Sequence, residues 1–523
     1  MISLFLWLNA DAAVDLTLRV PTERDLAEPE VESTGPIRGQ LINFGGQASD
    51  LPGAWPRFRG ANFDAISDED ISLARSWPES GPEVLWSLDV GEGYASAAVL
   101  NGRVYIIDYD HEKEADVIRC LSLDTGQDIW QYSYPIKVKR YHGMSRTIPA
   151  VTENYIVTIG PKCHVTCLDS TTGEFKWMMD LVGDFGTQVP EWYAGQCPII
   201  DDDNAIIAPG GDDVLMMAVD CETGEIVWQT PNPNGWKMTH SSIMPVEFMS
   251  VKMYVYCASE GVAGVSAETG EILWEYDDWS IRQANISAPL DLGDGRIFLS
   301  GGYNAGSMIL QLAQENDRIV PQPVFQPQFN IELSFQQGLD NGIVSDQLRK
   351  ELRGNEIILS TEGVMVTIEE PENRWLIADG KKRYLIRKEQ QELVFCTTRL
   401  KPAVFGSEQH TPILYRGHIF GIRPDKRLVC LDLEGNVVWD SSDFPRFGNS
   451  GLGPYSIADG KIYILDDEGL LTMAEASTSG YKQLAQAQVI EDGFDAWGPM
   501  AFASGRLILR DMYKMICLDI SEK

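Results

Sequence analysis

A short pattern recurs five times in the chain, always with Trp four residues after Gly. It reads Thr125-Gly126-Gln127-Asp128-Ile129-Trp130, then Thr172-Gly173 to Trp177, Thr223-Gly224 to Trp228, Thr269-Gly270 to Trp274, and Glu434-Gly435 to Trp439. Glycine suits the positive-φ position of a tight hairpin turn, and the polar–apolar alternation behind it is strand. A second signal, a turn followed by an apolar strand, begins at Asn101, Asn154, Asn204, Val251, Gly295, Gly417, Gly460 and Gly505. Most copies are spaced about 43–52 residues apart, a period that belongs to propeller blades. Eight copies, each mostly strand, predict an all-β, eight-bladed β-propeller with four strands per blade.

One interval is too long by about 77 residues, which places an insertion at 326–403. It is read as an inserted α+β segment, with a helix over Ser345–Leu352 and strands over Val364–Ile368 and Arg383–Ile386. The chain ends at Lys523, just after the third strand of a blade, and Pro82–Leu88 has the pattern of the missing fourth. An N-terminal strand closing the last blade would remove the exposed sheet edges. The expected organisation is therefore one propeller over 55–523, interrupted at 326–403 and preceded by a separate stretch, 1–54.

Within 1–54, Ile2–Leu8 is apolar but far shorter than the roughly 20 residues that span a bilayer. Two readings stay open. It is what remains of a signal or anchor lacking its upstream part, with Pro21–Gly53 as an acidic linker, or it is an apolar tail. No other stretch could span a membrane.

The formal net charge is −35, from 42 Lys and Arg against 77 Asp and Glu. That balance excludes nucleic acid, which needs a basic footprint, and argues against docking on an anionic membrane. Its positive hint is a cation or a basic partner.

The Asp-x-x-Thr-Gly-x-x-x-Trp pattern resembles the tryptophan-docking motif of pyrroloquinoline quinone (PQQ) repeat propellers. Trp55-Pro56-Arg57-Phe58-Arg59-Gly60 is similar to the opening of many bacterial extracytoplasmic members. The resemblance covers about 55–523, less the insertion. It implies that Trp130, Trp177, Trp228, Trp274 and Trp439 dock blades together. The group includes quinoprotein alcohol dehydrogenases and the non-catalytic propeller lipoprotein of the outer-membrane barrel-assembly machinery. It therefore implies two functions: an extracytoplasmic (periplasmic) binding or scaffold module, or a dehydrogenase of alcohols or polyols using PQQ with Ca²⁺.

The cysteines weigh against the dehydrogenase. Such enzymes carry a disulfide between adjacent cysteines beside the quinone, yet no two of the nine cysteines here are adjacent, and Cys-x-x-Cys-His is absent. Cys120, Cys167, Cys430 and Cys517 share one repeat position with Ala218 and Gly264, which reads as a small buried slot. Cys163, His164 and Cys167 have a spacing that admits a metal, although an extended strand would not aim all three at one point.

In a four-stranded blade, with strands A to D running outward, the D–A connections lead into the innermost strands and converge on the central channel. Here they gather aromatic and polar groups while the strands stay apolar, which marks the channel mouth as the default ligand site. The candidate binding residues are Glu92, Arg146, Trp192, Tyr193, Gln196, Lys237, His240, Asn285, Glu408, Gln409, His410, Asp495 and Trp497. Two B–C loops, Gly210–Asp213 and Gly301–Asn304, join them. His240 and His410 are candidate bases or metal ligands. Glu92, Glu408, Asp495 and Asp212 would supply calcium oxygens if the quinoprotein reading held. The expected occupant is a small molecule or a peptide, on a monomeric ring.

Overall fold

The computed structural model describes residues 39–281, 284–324, 398–448 and 453–523, Ile37, and the strands lying between 326 and 397. Eight antiparallel four-stranded sheets follow one another along the chain. Blade 1 is Ala98–Leu100, Arg103–Asp110, Ala115–Ser122 and Asp128–Pro135, from the innermost strand A to the outermost strand D. Blades 2 to 7 occupy 150–180, 199–231, 244–276, 290–323, 413–440 and 455–488. Blade 8 takes strands A to C from 501–519 and its D strand from Glu83–Asp89, which pairs antiparallel with Lys514–Asp519. The ring is thus closed by its own N-terminal side, which gives blade 8 its fourth and outermost strand.

The seams show why the repeat has its residue types. At the head of the turn, Asp169 Oδ1 accepts hydrogen bonds from the amides of Thr171 and Thr172, and Asp220 Oδ1 from that of Thr223. This side-chain turn sets up a glycine with positive φ, 76° at Gly173 and 74° at Gly224. The indole of the preceding blade then lies on that glycine. Trp130 covers Gly173, Trp177 covers Gly224, Trp228 covers Gly270, and Trp86 of the closing strand covers Gly126 of blade 1. A Cβ at Gly173 would sit 2.7 Å from Trp130 Cδ2, so the close approach requires glycine. The indole N–H groups of Trp86, Trp130, Trp177 and Trp439 donate to carbonyls of the next blade, at Leu123, Thr171, Cys221 and Ser477.

The shared cysteine slot also acquires a cause. Cys120, Cys167, Cys430 and Cys517 lie directly across the strand pair from Trp130, Trp177, Trp439 and Trp86. Ala218 faces Trp228 and Gly264 faces Trp274 in the same way. A small residue is needed where an indole folds back over its own sheet. All nine cysteines are buried thiols outside any disulfide.

The insertion contributes a separate five-stranded sheet of Gln326–Asn330, Val364–Glu369, Arg374–Asp379, Lys382–Glu389 and Glu392–Thr397. Its two strand-like runs fall inside these strands. Of the stretch expected to be helical, Leu352 belongs to the short strand Leu352–Arg353 and the remainder lies outside the described residues, as does Ile2–Leu8.

Two parts of the N-terminal region are built onto the propeller. Gln40–Asn43, inside the stretch read as linker, pairs with blade 1's outermost strand as a fifth strand. Residues 55–74 then form a strap across the inner strands. Trp55 exchanges hydrogen bonds with Val99 of blade 1, and Val151 of blade 2 donates to Pro56. Arg59 donates to the carbonyls of Thr411 and Pro412 at the start of blade 6. Ile457 of blade 7 donates to Ala65, and Ala74 donates to Ile520 beside blade 8. The segment thus contacts five blades and brings Phe58 to the cavity at the channel mouth.

Candidate functional site

The D–A connections of seven blade junctions reach one cavity of ≈ 270 Å³. They supply Tyr94, His142, Arg146, Trp192, Cys197, His240, Ile286, Gln409, His410 and Trp497, while Tyr303 comes from the blade 5 B–C loop. Phe58 of the strap also lines it. The eighth connection includes Asn449-Ser450-Gly451, which lies outside the described residues, as does Arg282.

Backbone strain concentrates at this mouth. His142, Trp192, Tyr193, Tyr303 and Asp495 have left-handed φ values of 48°, 65°, 75°, 53° and 49°. Each costs of the order of 1–3 kcal/mol unless its surroundings hold it, and such residues cluster where side chains must be aimed. Trp192 and Tyr193 are adjacent, and Tyr193 is held by a hydrogen bond from its hydroxyl to the Lys139 carbonyl.

The aromatic walls are ordered by ring contacts. Trp497 stacks on Tyr94 with centroids 5.1 Å apart, and Arg146 lies over the other ring contact of Tyr94, its guanidinium carbon 4.8 Å from the centroid. Trp192 meets His142 edge-on at 6.2 Å and His240 at 6.3 Å. Arg146 donates from Nε to the Trp192 carbonyl and from Nη2 to the His142 carbonyl. No carboxylate pairs with it among the described residues. Burial lowers its pKa to about 10, and only tyrosines oppose that shift.

Two titratable groups of the mouth, His240 and Cys197, are held in their neutral forms. Burial, helped by the Arg146 charge, lowers His240 to about 4, so its ring is neutral at pH 7. Burial raises Cys197 to about 11, which keeps it a thiol. Its Sγ accepts a hydrogen bond from the Ile148 amide.

Arg146, Trp192, His240, Gln409, His410 and Trp497 therefore come together, whereas the other candidates have different surroundings. Glu92 is paired with Arg140, whose Nε donates to its Oε2 at 2.8 Å. Gln196 is locked on blade 3: its Nε2 donates to the Ala208 carbonyl, and the Ala208 amide donates to its Oε1. Asn285 is buried and donates to Ala258. Lys237 is exposed, away from the lining. Glu408 packs on Gly302, and burial raises its pKa; burial and the neighbouring Asp467 raise that of Asp495.

These surroundings do not fit a calcium-bound quinone. The lining contains no carboxylate, and no three His, Cys, Asp or Glu among the described residues group closely enough to hold a metal. That includes Asp212, whose carboxylate lies against Gly186, and the Cys163–His164–Cys167 set. The hint of a cation at the mouth is also reversed: the charge lining the cavity is a guanidinium. Sequence reading missed Phe58, Ile148 and Ser242 as lining residues. Phe58 had a signal, an aromatic between two arginines in a strongly acidic chain, but nothing periodic connected it to the channel.

Residues 113–329 match the family model described as outer membrane protein assembly factor BamB. No curated protein matches the chain. Among solved structures, quinohemoprotein alcohol dehydrogenase from Comamonas testosteroni is 11% identical, covering 91% of this chain and 82% of that one with a TM-score of 0.51. BamB from Moraxella catarrhalis is 11% identical over 84% of this chain and 99% of that one, with a TM-score of 0.43. A europium-containing methanol dehydrogenase is 13% identical over 89% of both chains, at 0.49. The sequence resemblance to PQQ-like repeat propellers is thus matched by a family model over part of the chain and by a shared fold.

Proposed function

We propose that this PQQ-like repeat propeller is a non-catalytic binding module of an extracytoplasmic compartment, with its ligand, a small molecule or a peptide segment, held at the channel mouth. One observation supports the reading: seven connections and the strap build one aromatic cavity in which His240 and Cys197 are both kept neutral. A catalytic mouth would instead hold a base or nucleophile tuned toward the working pH. Blade docking by Trp130, Trp177, Trp228 and Trp439, with Trp274 folded onto its own blade instead, supplies the rigid frame such a site needs. The described residues include no helix long and apolar enough to cross a membrane.

The test is to titrate the purified protein with PQQ and CaCl₂ and follow dye reduction with primary alcohols and polyols. The expected result is no turnover at any quinone concentration. Alcohol-dependent dye reduction that saturates with PQQ would overturn the binding-module reading and restore the dehydrogenase.

A further inference from the structure

We infer that the mouth selects a flat, carboxylate-bearing ligand, with its anionic oxygen on Arg146 and its planar body against the aromatic walls. The inference deepens the proposed function and rests on the mouth being a ligand site.

Three enclosed arginines carry the argument by contrast. Arg59 donates from Nε, Nη1 and Nη2 to the carbonyls of Phe63, Thr411, Asp64 and Pro412. Arg510 donates likewise from all three nitrogens to Asp511, Ala95, Gly91 and Met512. Both guanidiniums bond through every nitrogen, four hydrogen bonds each, and act as pins. Arg146 uses only Nε and Nη2, and its Nη1 carries no hydrogen bond. A guanidinium with a free donor at the cavity and no counter-charge among the described residues offers an anion both a hydrogen bond and a charge.

The walls point the same way. The indole N–H of Trp192, that of Trp497 and the hydroxyl of Tyr94 have no hydrogen-bond partner in the protein. An indole N–H can only donate, so Trp192 and Trp497 add two donors to a cavity in which Gln409 Oε1 is an acceptor without a partner. Tyr94, Trp192, Trp497 and Phe58 present ring surface, which favours a flat body. A cavity of ~150 Å³ accommodates benzene, so ≈ 270 Å³ has room for a one-ring acid and its carboxylate. One free nitrogen and one positive charge match a monoanion better than a doubly charged phosphate. The chain's overall charge does not oppose this at ordinary salt, because exposed charges beyond about 10 Å are screened.

The test compares benzoate, benzamide and benzylamine, which share a ring and differ in charge, by calorimetric titration of the full-length protein. Benzoate should bind at least about tenfold more tightly than benzamide, the scale of a hydrogen bond to a charged group. Arg146→Met should erase that preference, lowering benzoate binding far more than benzamide binding, and Arg146→Lys should keep part of it. Unaltered circular dichroism and melting would show that both variants fold. If Arg146→Met does not fold, Arg146→Gln, which stays polar and loses the charge, serves in its place. Equal binding of the three probes would overturn the anion inference and leave the mouth as a ligand site. No saturable binding of any probe up to about 10 mM, near the weakest affinity expected of so small a ligand, would overturn both.

Discussion

The seam between blades 1 and 2 and the seam between blades 4 and 5 begin from the same tryptophan and end differently. At the first, Trp130 crosses to the neighbour, lies on Gly173 and donates to Thr171. At the second, Trp274 stays within its own blade and donates to Met253 Sδ at 3.2 Å. Two sequence differences account for this. Blade 5 has no Thr-Gly turn; Asn316 and Asp317, with φ of 46° and 62°, make its hairpin. The residue opposite Trp274 is also Gly264, and a Cβ there would sit 2.2 Å from the indole. The ring has folded onto the space that cysteine or alanine fills in other blades. A docking tryptophan therefore needs both a receptor glycine ahead of it and a filled slot behind it.

The largest effect that would break this comparison is truncation of the two rings. Trp130→Ala should cost about 3–5 kcal/mol, as expected for a buried indole in a packed site. It should also free the fifth strand Gln40–Asn43, whose Leu41 packs against the same Gly173. Trp274→Ala should cost a similar burial term but leave the blade 5 turn undisturbed. Melting with hydrogen exchange on 171–175 and 315–318 checks this: if both turns lose protection equally, the two seams are not different in kind.

The periodic features were legible because period is visible in one dimension. The eight blades, the closing strand at Trp86 and the small slot all follow from repeat alignment. Trp274 could not be separated from its siblings that way, since its departure is caused by what the next blade lacks. The mouth was legible as a set of connections but not as a set of contacts. Gln196 and Trp192 stand four residues apart, yet one is consumed by the backbone of its own blade and the other faces the cavity. Which of two polar residues a fold spends on itself depends on distances that sequence does not carry. Phe58 shows the same limit for a segment that belongs to no repeat.

A smaller effect concerns charge at the first seam. Asp116 is fully buried in blade 1, close to where a Cβ on Gly160 of blade 2 would be, and burial raises its pKa to about 8, the Tyr134 hydroxyl offsetting this in part. Its carboxyl is therefore protonated in the folded protein at neutral pH and ionised in the unfolded chain. The folded state binds the extra proton, so stability falls as pH rises from about 4 to about 8, then levels off. Asp116→Asn should melt with the parent at pH 4 and above it at pH 9, by an amount on the order of 1–2 kcal/mol after relaxation of the buried site. A difference that does not change with pH would show that Asp116 is not buried as an acid at this seam.

The smallest effect isolates the two N–H bonds from the two rings. Phe keeps most of the aromatic surface of Trp and removes the donor. Trp130→Phe should strand the Thr171 carbonyl and cost about 1–2 kcal/mol, part of it lost ring volume. Trp274→Phe gives up a bond to a thioether, a weak acceptor that tolerates being left alone, so it should cost about 0.5 kcal/mol more than the volume change. The informative quantity is the gap between the two variants under one denaturant protocol. A gap of zero would mean that the carbonyl bond contributes nothing beyond the ring on its glycine, and that the glycine alone makes the seam.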